Sequence, residues 1–323
     1  MDTYYRLEDL PPVSNSALTL GTFDGLHRGH LAVIERLMEV SRERKVPAVV
    51  LTFDPYPQHI LAPPSMPKKE LIITLDKKLA LLEKAGVDLS LVLKFDLQFS
   101  RITARDFLEK IVVDQFHPSH IVVGYDHHFG YQRQGDARFL QEHASTFGYE
   151  VDLVEVVTSS GSTISSSNIR QLLREGRCEE AEQLLGRLYE IPGRITPGIG
   201  RGQELDYPTA NLTPDEPNQL IPKGGVYIVS ADINRRTTFG MCNVGYRPTF
   251  DGRALTIEAH FVNPPEENLY DLRVTFRFHH RIRDEYKFDS REELRVQLNQ
   301  DKQITLKWIA EYQGGKQIHA SVS

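Results

Sequence analysis

The segment GTFDGLHRGH, residues 21–30, constrains the fold of this chain more than any other feature. It follows a short apolar run, residues 17–20, and leads into a helical pattern, so it predicts the turn between a parallel strand and its helix. Glycines in the turn would let a ligand's phosphates approach the backbone. His27 and His30 would project to one side, where the first N–H groups of the helix and the positive end of its dipole also point. The turn therefore predicts an anion-binding site suited to phosphoryl or nucleotidyl transfer.

Strand and helix patterns alternate through the first half of the chain. The strand patterns, which are rich in apolar and β-branched residues, cover residues 48–53, 89–95, 120–123 and 151–157. The helical patterns cover residues 30–44, a segment that Thr103 and Asp106 open, and residues 136–147, 169–174 and 179–185. A proline-rich loop occupies residues 55–67. This alternation predicts a doubly wound α/β domain with a parallel sheet.

The pattern changes near residue 186. Strand patterns separated by Gly, Pro and Asn turns, with no helix between them, then cover residues 191–196, 225–233, 238–244, 255–261 and 272–278. Such a series predicts an antiparallel sandwich or a small barrel. Ser290 and Glu293 form a capping pair before closing helices, the last of which we expect to end at Gly314. We predict two domains, residues 1–185 and 186–323.

The length and net charge of the chain limit the kinds of molecule that it is expected to bind. A chain of 323 residues is long enough for two domains that each hold a core, and its net charge of −6 argues against a nucleic-acid or membrane surface. No apolar run has the length of a membrane span, and the N-terminus lacks the apolar core of a signal peptide. We expect a cytoplasmic protein that binds small molecules and needs no obligatory protein partner. Cys178 and Cys242 fit reduced packing residues better than a disulfide or a metal pair.

A second anion-binding edge is predicted at residues 164–170, ISSSNIR. Three hydroxyls at a helix N-terminus, with Arg170 one turn later, could hold phosphate oxygens. The alternative is a plain serine-rich helix cap. If both helix N-termini serve one site, a triphosphate would be held from two sides.

A third candidate follows in the second half of the chain. Glycines at 198, 200 and 202 around Arg201 form a loop that could cover phosphates, although a plain hairpin loop is an equal alternative. Thr209 and Asn211 supply a hydroxyl and an amide oxygen, which are hard ligands suited to Mg²⁺ that bridges ATP phosphates. Glu258 lies inside an apolar strand pattern, which fits a buried general base or, alternatively, an exposed strand face.

These motifs together resemble a known family. GTFDGLHRGH resembles the HxGH motif of the nucleotidyltransferase superfamily, and ISSSNIR resembles its ISSTxIR partner. More narrowly, the chain resembles the prokaryotic bifunctional riboflavin kinase/FAD synthetase family over nearly its whole length. The segments that carry this likeness are residues 52–57 (TFDPYP), 124–136 (GYDHHFGYQRQGD), 198–212, 222–227, 243–250 (NVGYRPTF), 256–261 and 281–288 (RIRDEYKF).

The resemblance implies a Rossmann-like FMN adenylyltransferase domain followed by a six-stranded riboflavin kinase barrel with C-terminal helices. The barrel would transfer a phosphoryl group from Mg-ATP to riboflavin, and the first domain would join the FMN product to AMP, giving FAD and pyrophosphate. The implied catalytic residues are His27, His30, Arg170 and Glu258. The implied ATP-binding residues are Gly21, Thr22, Phe23, Asp24, Gly29, Ser165, Ser166, Ser167, Gly198, Arg201, Gly202, Thr209 and Asn211. The implied flavin-binding residues are Asp54, Pro55, Tyr125, Asp126 and Arg281. The implied magnesium ligands are Thr209 and Asn211.

Several positions depart from the family pattern. Asp206 and Asp271 stand where glycine is common, which affects loop geometry, and His127-His128 replaces a more frequent Phe-Arg beside the expected flavin contacts. Adjacent strand residues point to opposite faces, so a metal site made from His127 and His128 is disfavoured. Two other functions stay open: a flavin-binding regulatory protein with one or both modules silent, or a nucleotidyltransferase for another acceptor. The second half of the chain speaks against the latter.

Overall fold

The computed structural model describes residues 1–159, 162–197, 209–249, 252–263 and 269–320. Contacts within the chain divide it into two compact units, Met1–Asn168 and Ile169–Ser323. The predicted domain limits, 1–185 and 186–323, stay a prediction.

The first unit is built on a parallel sheet of six strands, in the order β1-β4-β3-β2-β5-β8. Its strands are β1 (Asp2–Tyr4), β2 (Ser16–Leu20), β3 (Ala48–Asp54), β4 (Leu89–Lys94), β5 (Pro118–Gly124) and β8 (Glu150–Val154). From β2 the chain adds β3 and β4 on one side and then returns to place β5 on the other. The strand order therefore reverses beside β2, and in a doubly wound sheet ligands bind at that point, outside the carboxyl ends of the strands.

The inner strands β2 and β3 are buried along all or nearly all of their length, as their mainly apolar sequences require. Helix α1 (Arg28–Arg44) covers one face of the sheet with the buried residues Val33, Ile34, Leu37 and Val40. The helix confirms the helical pattern predicted over residues 30–44. The helix ends at Arg44, and the next residue, Lys45, caps it in the left-handed conformation with a φ of 57°.

The remaining elements of the first unit are shorter. Its other helices are α2 (Pro57–Leu61), α3 (Leu75–Lys84), α4 (Ala104–Asp106), a π-helical segment (Phe107–Val113), α5 (Asp114–Phe116) and α6 (Ala137–Phe147). Two small hairpins pair β6 (His128–Phe129) with β7 (Gly135–Asp136), and β9 (Thr158–Ser159) with β10 (Ser162–Thr163). Single 3₁₀ turns cover Leu7–Asp9, Phe99–Arg101 and Tyr131–Arg133. Helix α7 (Ser166–Glu175) then crosses from the first unit into the second.

The second unit contains a closed antiparallel barrel of six strands, in the order β11-β12-β15-β14-β13-β16, with β16 paired back to β11. Its strands are β11 (Tyr189–Thr196), β12 (Ala210–Pro214), β13 (Gly225–Ile233), β14 (Arg236–Thr249), β15 (Gly252–Phe261) and β16 (Arg273–Arg283). Large side chains fill the interior, and the bulkiest fully buried ones are Tyr189, Tyr227, Phe276 and Phe278. Because the sheet closes on itself, the second unit is a barrel, which is one of the two architectures that its strand pattern predicted.

Two helices outside the barrel strands complete the second unit, α8 (Cys178–Leu185) and α9 (Arg291–Ala320). The Ser290 hydroxyl accepts a hydrogen bond from the Glu293 N–H, so the predicted cap is confirmed. Helix α9 continues past Gly314, so the expected end at that residue is wrong. Gly314 and the adjacent Gly315 each lower helix stability by about 1 kcal/mol relative to alanine, which is too little to end a long helix.

The predicted fold class of each half is thus confirmed: the first half contains a parallel α/β sheet, and the second contains an antiparallel barrel. Cys178 and Cys242 are both buried and free, as predicted. Burial raises the pKa of the Cys178 thiol to about 12 and also raises the pKa of the Cys242 thiol. Within the described part of the chain, no helix combines the length and apolar character needed to cross a bilayer.

Candidate active sites

The predicted turn at residues 21–30 places two imidazole rings at the start of α1. His27 caps the helix, and its Nδ1 accepts a hydrogen bond from the His30 N–H at 3.3 Å. The rings stack with centroids 3.7 Å apart and planes 14° from parallel, while Phe23 meets His30 edge-on at 5.5 Å. Both rings are therefore fixed beside the N–H groups at the positive end of the helix.

The ISSSNIR segment lies against this turn. The Ser166 hydroxyl donates to the Asp24 carbonyl at 2.8 Å, and the Ser165 hydroxyl accepts from the Asn168 N–H at 3.2 Å, which caps α7. A methyl group on Gly29 would lie 3.2 Å from the His27 Nδ1 and 3.7 Å from the Ile164 carbonyl. The two predicted anion-binding edges thus meet, and the close approach of the His27 ring favours a small residue at position 29. Ser167 is exposed in the first turn of α7.

Beneath the turn lies a buried charge network that the sequence did not reveal. The Asp24 carboxylate is 3% exposed and accepts from the Ile72 N–H at 3.0 Å. Lys78, which is 6% exposed, donates from Nζ to the Thr22 carbonyl at 3.0 Å and to the Thr52 hydroxyl at 2.9 Å. Burial lowers the pKa of Lys78 to about 8, although the charges of Asp24 and Asp54 act in the opposite direction.

The available sequence signal for Lys78 was weak. It lies four residues before the buried Leu82 on α3, so a lysine interrupts the apolar face of that helix. Helix α3 was itself not predicted, because few apolar residues precede Lys78 in it. The remaining ATP-binding predictions in the turn, Gly21 and Phe23, pack against each other: a methyl on Gly21 would lie 3.2 Å from the Phe23 ring.

The predicted flavin contacts of the first unit lie at the carboxyl ends of two strands that flank β2. Asp54 is exposed at the end of β3, and a cis peptide bond joins it to Pro55. Tyr125 and Asp126 follow β5 directly and are also exposed. Since β3 and β5 lie on either side of β2, these residues lie at the same edge of the sheet as the histidine turn, which follows β2. Their contact with flavin stays a prediction.

His127 occupies the position where the family pattern has phenylalanine. Its ring stacks on Phe129 with centroids 5.8 Å apart and planes 23° from parallel. Its Nε2 is shielded from solvent and has no hydrogen-bond partner among the described residues. Desolvation, assisted by the charge of His128, lowers the pKa of His127 to about 4, so the ring is neutral near pH 7 and packs as an aromatic side chain.

The barrel brings together three of the residues predicted for phosphoryl transfer. The Thr209 hydroxyl donates to the Glu258 carboxylate at 2.6 Å. Asn211 of β12 is paired directly with Glu258 of β15, so their side chains share one face of the barrel wall. The Asn211 amide nitrogen is buried and has no hydrogen-bond partner among the described residues. Such an atom marks a place where a ligand is expected.

Thr209 and Asn211 also fit the magnesium that the resemblance implies. The Thr209 hydroxyl donates its proton to Glu258, which leaves its oxygen lone pairs available to a cation. The Asn211 side chain adds an amide oxygen, and two neutral oxygen donors with phosphate oxygens suit Mg²⁺.

Two residues near Glu258 were not predicted. Asn243 of β14 is paired with Glu258 on its other side, which continues the polar row across a third strand. The Asn243 amide nitrogen donates to the Glu285 carboxylate at 3.1 Å, and Glu285 packs against Gly245. Asn243 was visible in the NVGYRPTF motif, but only the strand register connects it to Glu258.

Other predicted residues lie apart or outside the described residues. Arg281 of β16 donates to the Tyr227 hydroxyl at 3.3 Å, to the Gly224 carbonyl at 2.7 Å and to Asp284 at 2.7 Å. Its strand is three positions from β15 in either direction around the barrel, so these hydrogen bonds do not join it to Glu258. Arg170 is buried, with 2% of its surface exposed, one turn into α7. Outside the described residues lie Gly198, Arg201, Gly202 and Asp206.

The two arrangements suit different reactions. Paired imidazoles at a helix N-terminus can stabilise charge on phosphorus without forming a covalent bond. A carboxylate beside cation ligands can remove a hydroxyl proton and position Mg-ATP, as a kinase requires.

Comparison with known proteins relates each half of the chain to a family model. A family model described as FAD synthetase matches residues 11–168, and one described as riboflavin kinase matches residues 185–309. The chain is 36% identical over 298 residues to the bifunctional riboflavin kinase/FMN adenylyltransferase of Listeria monocytogenes, covering 92% of this chain and 93% of the relative. It is 37% identical over 285 residues to the protein of the same name from Pseudomonas fluorescens, covering 88% and 89% respectively.

A solved structure from Streptococcus pneumoniae, titled as a macrolide-efflux protein, has a TM-score of 0.87 and 32% identity to this chain. The match covers 95% of this chain and 98% of that one. The function in its title differs from the one named for the two relatives.

Proposed function

Because this chain belongs to the family of bifunctional riboflavin kinase/FMN adenylyltransferases and is an enzyme with both activities, we propose how its residues divide the two reactions. Riboflavin is phosphorylated in the barrel of the second unit, and FMN is adenylylated at the carboxyl ends of β2, β3 and β5 in the first. One observation supports this assignment of the two reactions to different units. The first unit contains the stacked pair His27 and His30, and the second contains the hydrogen-bonded pair Thr209 and Glu258.

In the adenylylation step, the FMN phosphate attacks the α-phosphorus of ATP, forming one P–O bond while the bond to pyrophosphate breaks. His27 and His30 hydrogen-bond to the oxygens on which negative charge accumulates. Ser166, Ser167 and Arg170 hold the departing pyrophosphate. The stacking of the two rings and the hydrogen bond from Ser166 to the turn support this role, because they fix the donors before substrate arrives.

In the kinase step, Glu258 accepts the proton of the riboflavin 5′-hydroxyl as its oxygen attacks the γ-phosphorus of ATP. The hydrogen bond from Thr209 orients the carboxylate. Thr209 and Asn211 would hold Mg²⁺, which supplies charge neutralisation on the ATP phosphates. We further propose that the enzyme acts in the cytoplasm on riboflavin, FMN and ATP, which its charge and composition favour.

The first prediction tests the division of labour. The purified protein is incubated with riboflavin, ATP and Mg²⁺, and the flavins are separated over time. We expect FMN to appear first and FAD afterwards. His30→Ala should slow conversion of FMN to FAD by about 10²- to 10³-fold because it removes a transition-state donor, while riboflavin phosphorylation is unchanged. Glu258→Ala should slow FMN formation by about 10²- to 10⁴-fold and leave FMN-to-FAD conversion intact.

Each variant is the control for the other, since both activities are measured in one chain. Loss of both activities in either folded variant would refute the assignment to separate sites. FMN without FAD in the unmodified protein would show that the first unit is silent toward flavin.

A further inference from the structure

Lys78 is the least expected charged residue near the first site. Its helix, α3, contributes no residue to the predicted motifs, yet its ammonium group reaches below the histidine turn. It contacts the turn through the Thr22 carbonyl and β3 through the Thr52 hydroxyl, which is fully buried. One side chain therefore joins the backbone that leads to His27 with the strand that ends at Asp54.

Burying an ammonium group is costly, and the surroundings only partly offset that cost. Lys78 has two hydrogen bonds to neutral oxygens and favourable charge interactions with Asp24 and Asp54, but desolvation still dominates. A leucine or methionine would fill the space more favourably. The position is thus better explained by the charge than by packing.

The position of Asp24 suggests a role for the positive charge of Lys78. Its buried carboxylate organises the turn by accepting from the Ile72 N–H, while its own carbonyl accepts from Ser166. A carboxylate at that place would repel the phosphates of ATP, since like charges close together in a poorly solvated site are strongly unfavourable. Lys78 supplies the opposite charge, which interacts favourably with the charge of Asp24.

We propose that Lys78 is a positioning residue for adenylyl transfer, which neutralises Asp24 and fixes the Thr22 backbone so that the turn carrying His27 and His30 accepts a triphosphate. This inference rests on the proposed role of the histidine turn. Lys78 does not touch the reacting atoms and transfers no proton in the reaction.

The second prediction compares Lys78→Met with Lys84→Met, an exposed lysine on the same helix. Methionine keeps the length and apolar stem but has no charge. We expect Lys78→Met to lower kcat/KM for FMN adenylylation by about 10- to 100-fold, the effect expected from displaced catalytic groups. Riboflavin phosphorylation by the same sample should be unchanged, and Lys84→Met should leave both activities unchanged. An unaltered adenylylation rate in a folded Lys78→Met variant would overturn the proposal.

A pH profile separates the charge from a purely structural contact. Among the described residues, the carboxylates of Asp24 and Asp54 are the groups whose charges act on Lys78. With a pKa of about 8, Lys78 loses its proton as the pH rises through that value in the free enzyme, so kcat/KM of the unmodified protein should fall above pH 8. Arginine stays protonated, so Lys78→Arg should keep measurable adenylylation and lack this fall. This comparison also decides the matter if Lys78→Met fails to fold.

The same decline above pH 8 in the unmodified protein and in Lys78→Arg would overturn the proposal. The histidine site is checked in parallel with His30→Ala. If His30→Ala retains FAD synthesis, the proposed function of the turn fails. If His30→Ala is inactive while Lys78→Met is fully active, only the inference about Lys78 fails.

Discussion

Burial lowers the pKa of His127 as it does that of Lys78, but for His127 the expected consequence is a pH-dependent stability. The imidazole is stacked on Phe129 and its Nε2 is shielded, so its charged form is disfavoured in the folded protein. The unfolded chain binds a proton near the ordinary value of 6.5, whereas the folded protein does so at a pKa of about 4. Between these values the unfolded state binds more protons, and the folded state therefore loses stability as the pH falls from 6.5 to 4.

The third prediction is that His127→Phe removes this acid sensitivity. From pH 7 to pH 5 the unmodified protein should lose about 1 to 2 kcal/mol more unfolding free energy than the variant. Urea unfolding of both proteins at the two pH values measures the difference. His128→Phe, at the exposed neighbouring position, should keep most of the sensitivity because desolvation is the larger cause. Equal pH dependence in the unmodified protein and His127→Phe would contradict the explanation.

Residues that share a motif could be predicted from the sequence, whereas residues joined by register could not. His27 and His30 are three positions apart, so helix geometry alone brings their rings together. Asn243 and Glu258 are neighbours only because β14 pairs with β15 in one register. Lys78 reaches its partners from a helix with no part in any motif.

Close approach of backbones shapes the barrel wall at the level of elements. At Gly240 of β14, an added methyl group would overlap the His260 carbonyl of the neighbouring strand. The strand pair can therefore keep this spacing only with glycine at that position. Gly314 in α9 is the opposite case, because a methyl group there would meet nothing within 4 Å.

The fourth prediction contrasts alanine at these two glycines. Gly240→Ala should lower the unfolding free energy of the barrel by about 1 to 3 kcal/mol, since the strands must separate to admit the methyl group. Gly314→Ala should raise helix stability by about 0.5 to 1 kcal/mol, as the exposed helix interior gains a better helix former. Thermal unfolding of both variants measures the contrast. A neutral Gly240→Ala would show that the strands can shift freely.

Long periodic elements were predictable and short ones were not. The apolar stripe of α1 and the apolar run of β3 carry their own signal, whereas β1 has only three residues and β12 has five. Residues 151–157 were predicted as one strand, but β8 ends at Val154. The sequence around Asn211 is typical of a turn, and Asn211 becomes a strand residue because both β11 and β15 pair with it.

At the scale of the whole molecule, each unit has buried apolar residues of its own. Two clusters of buried residues pack on opposite faces of the parallel sheet, with members such as Leu18 and Leu51 on one and Leu37 and Val50 on the other. The barrel is filled by its own aromatic residues, including Tyr227 and Phe276. The composition change near residue 186 indicated two domains, but the exact division depends on which helices join the barrel.

The fifth prediction is that the two units unfold in separable transitions. Calorimetry of the full chain should resolve two heat-absorption peaks, and Gly240→Ala should lower the temperature of only one of them, because it changes only the barrel core. Riboflavin phosphorylation should be lost on heating with that peak. A single peak that moves as a whole in the variant would contradict independent cores.

The strand arrangement also bears on how safely this chain folds in a crowded cell. The outer strands of the parallel sheet are β1, which has three residues, and β8, whose Glu150 and Asp152 pair with Arg44 and Arg36 of α1. Short and charged edges are poor templates for adding a strand from another molecule. The barrel has no open edge, because β16 returns to β11. In the described residues, the edges of the parallel sheet are thus short or charged, and the barrel is closed. Both arrangements disfavour aggregation by strand addition.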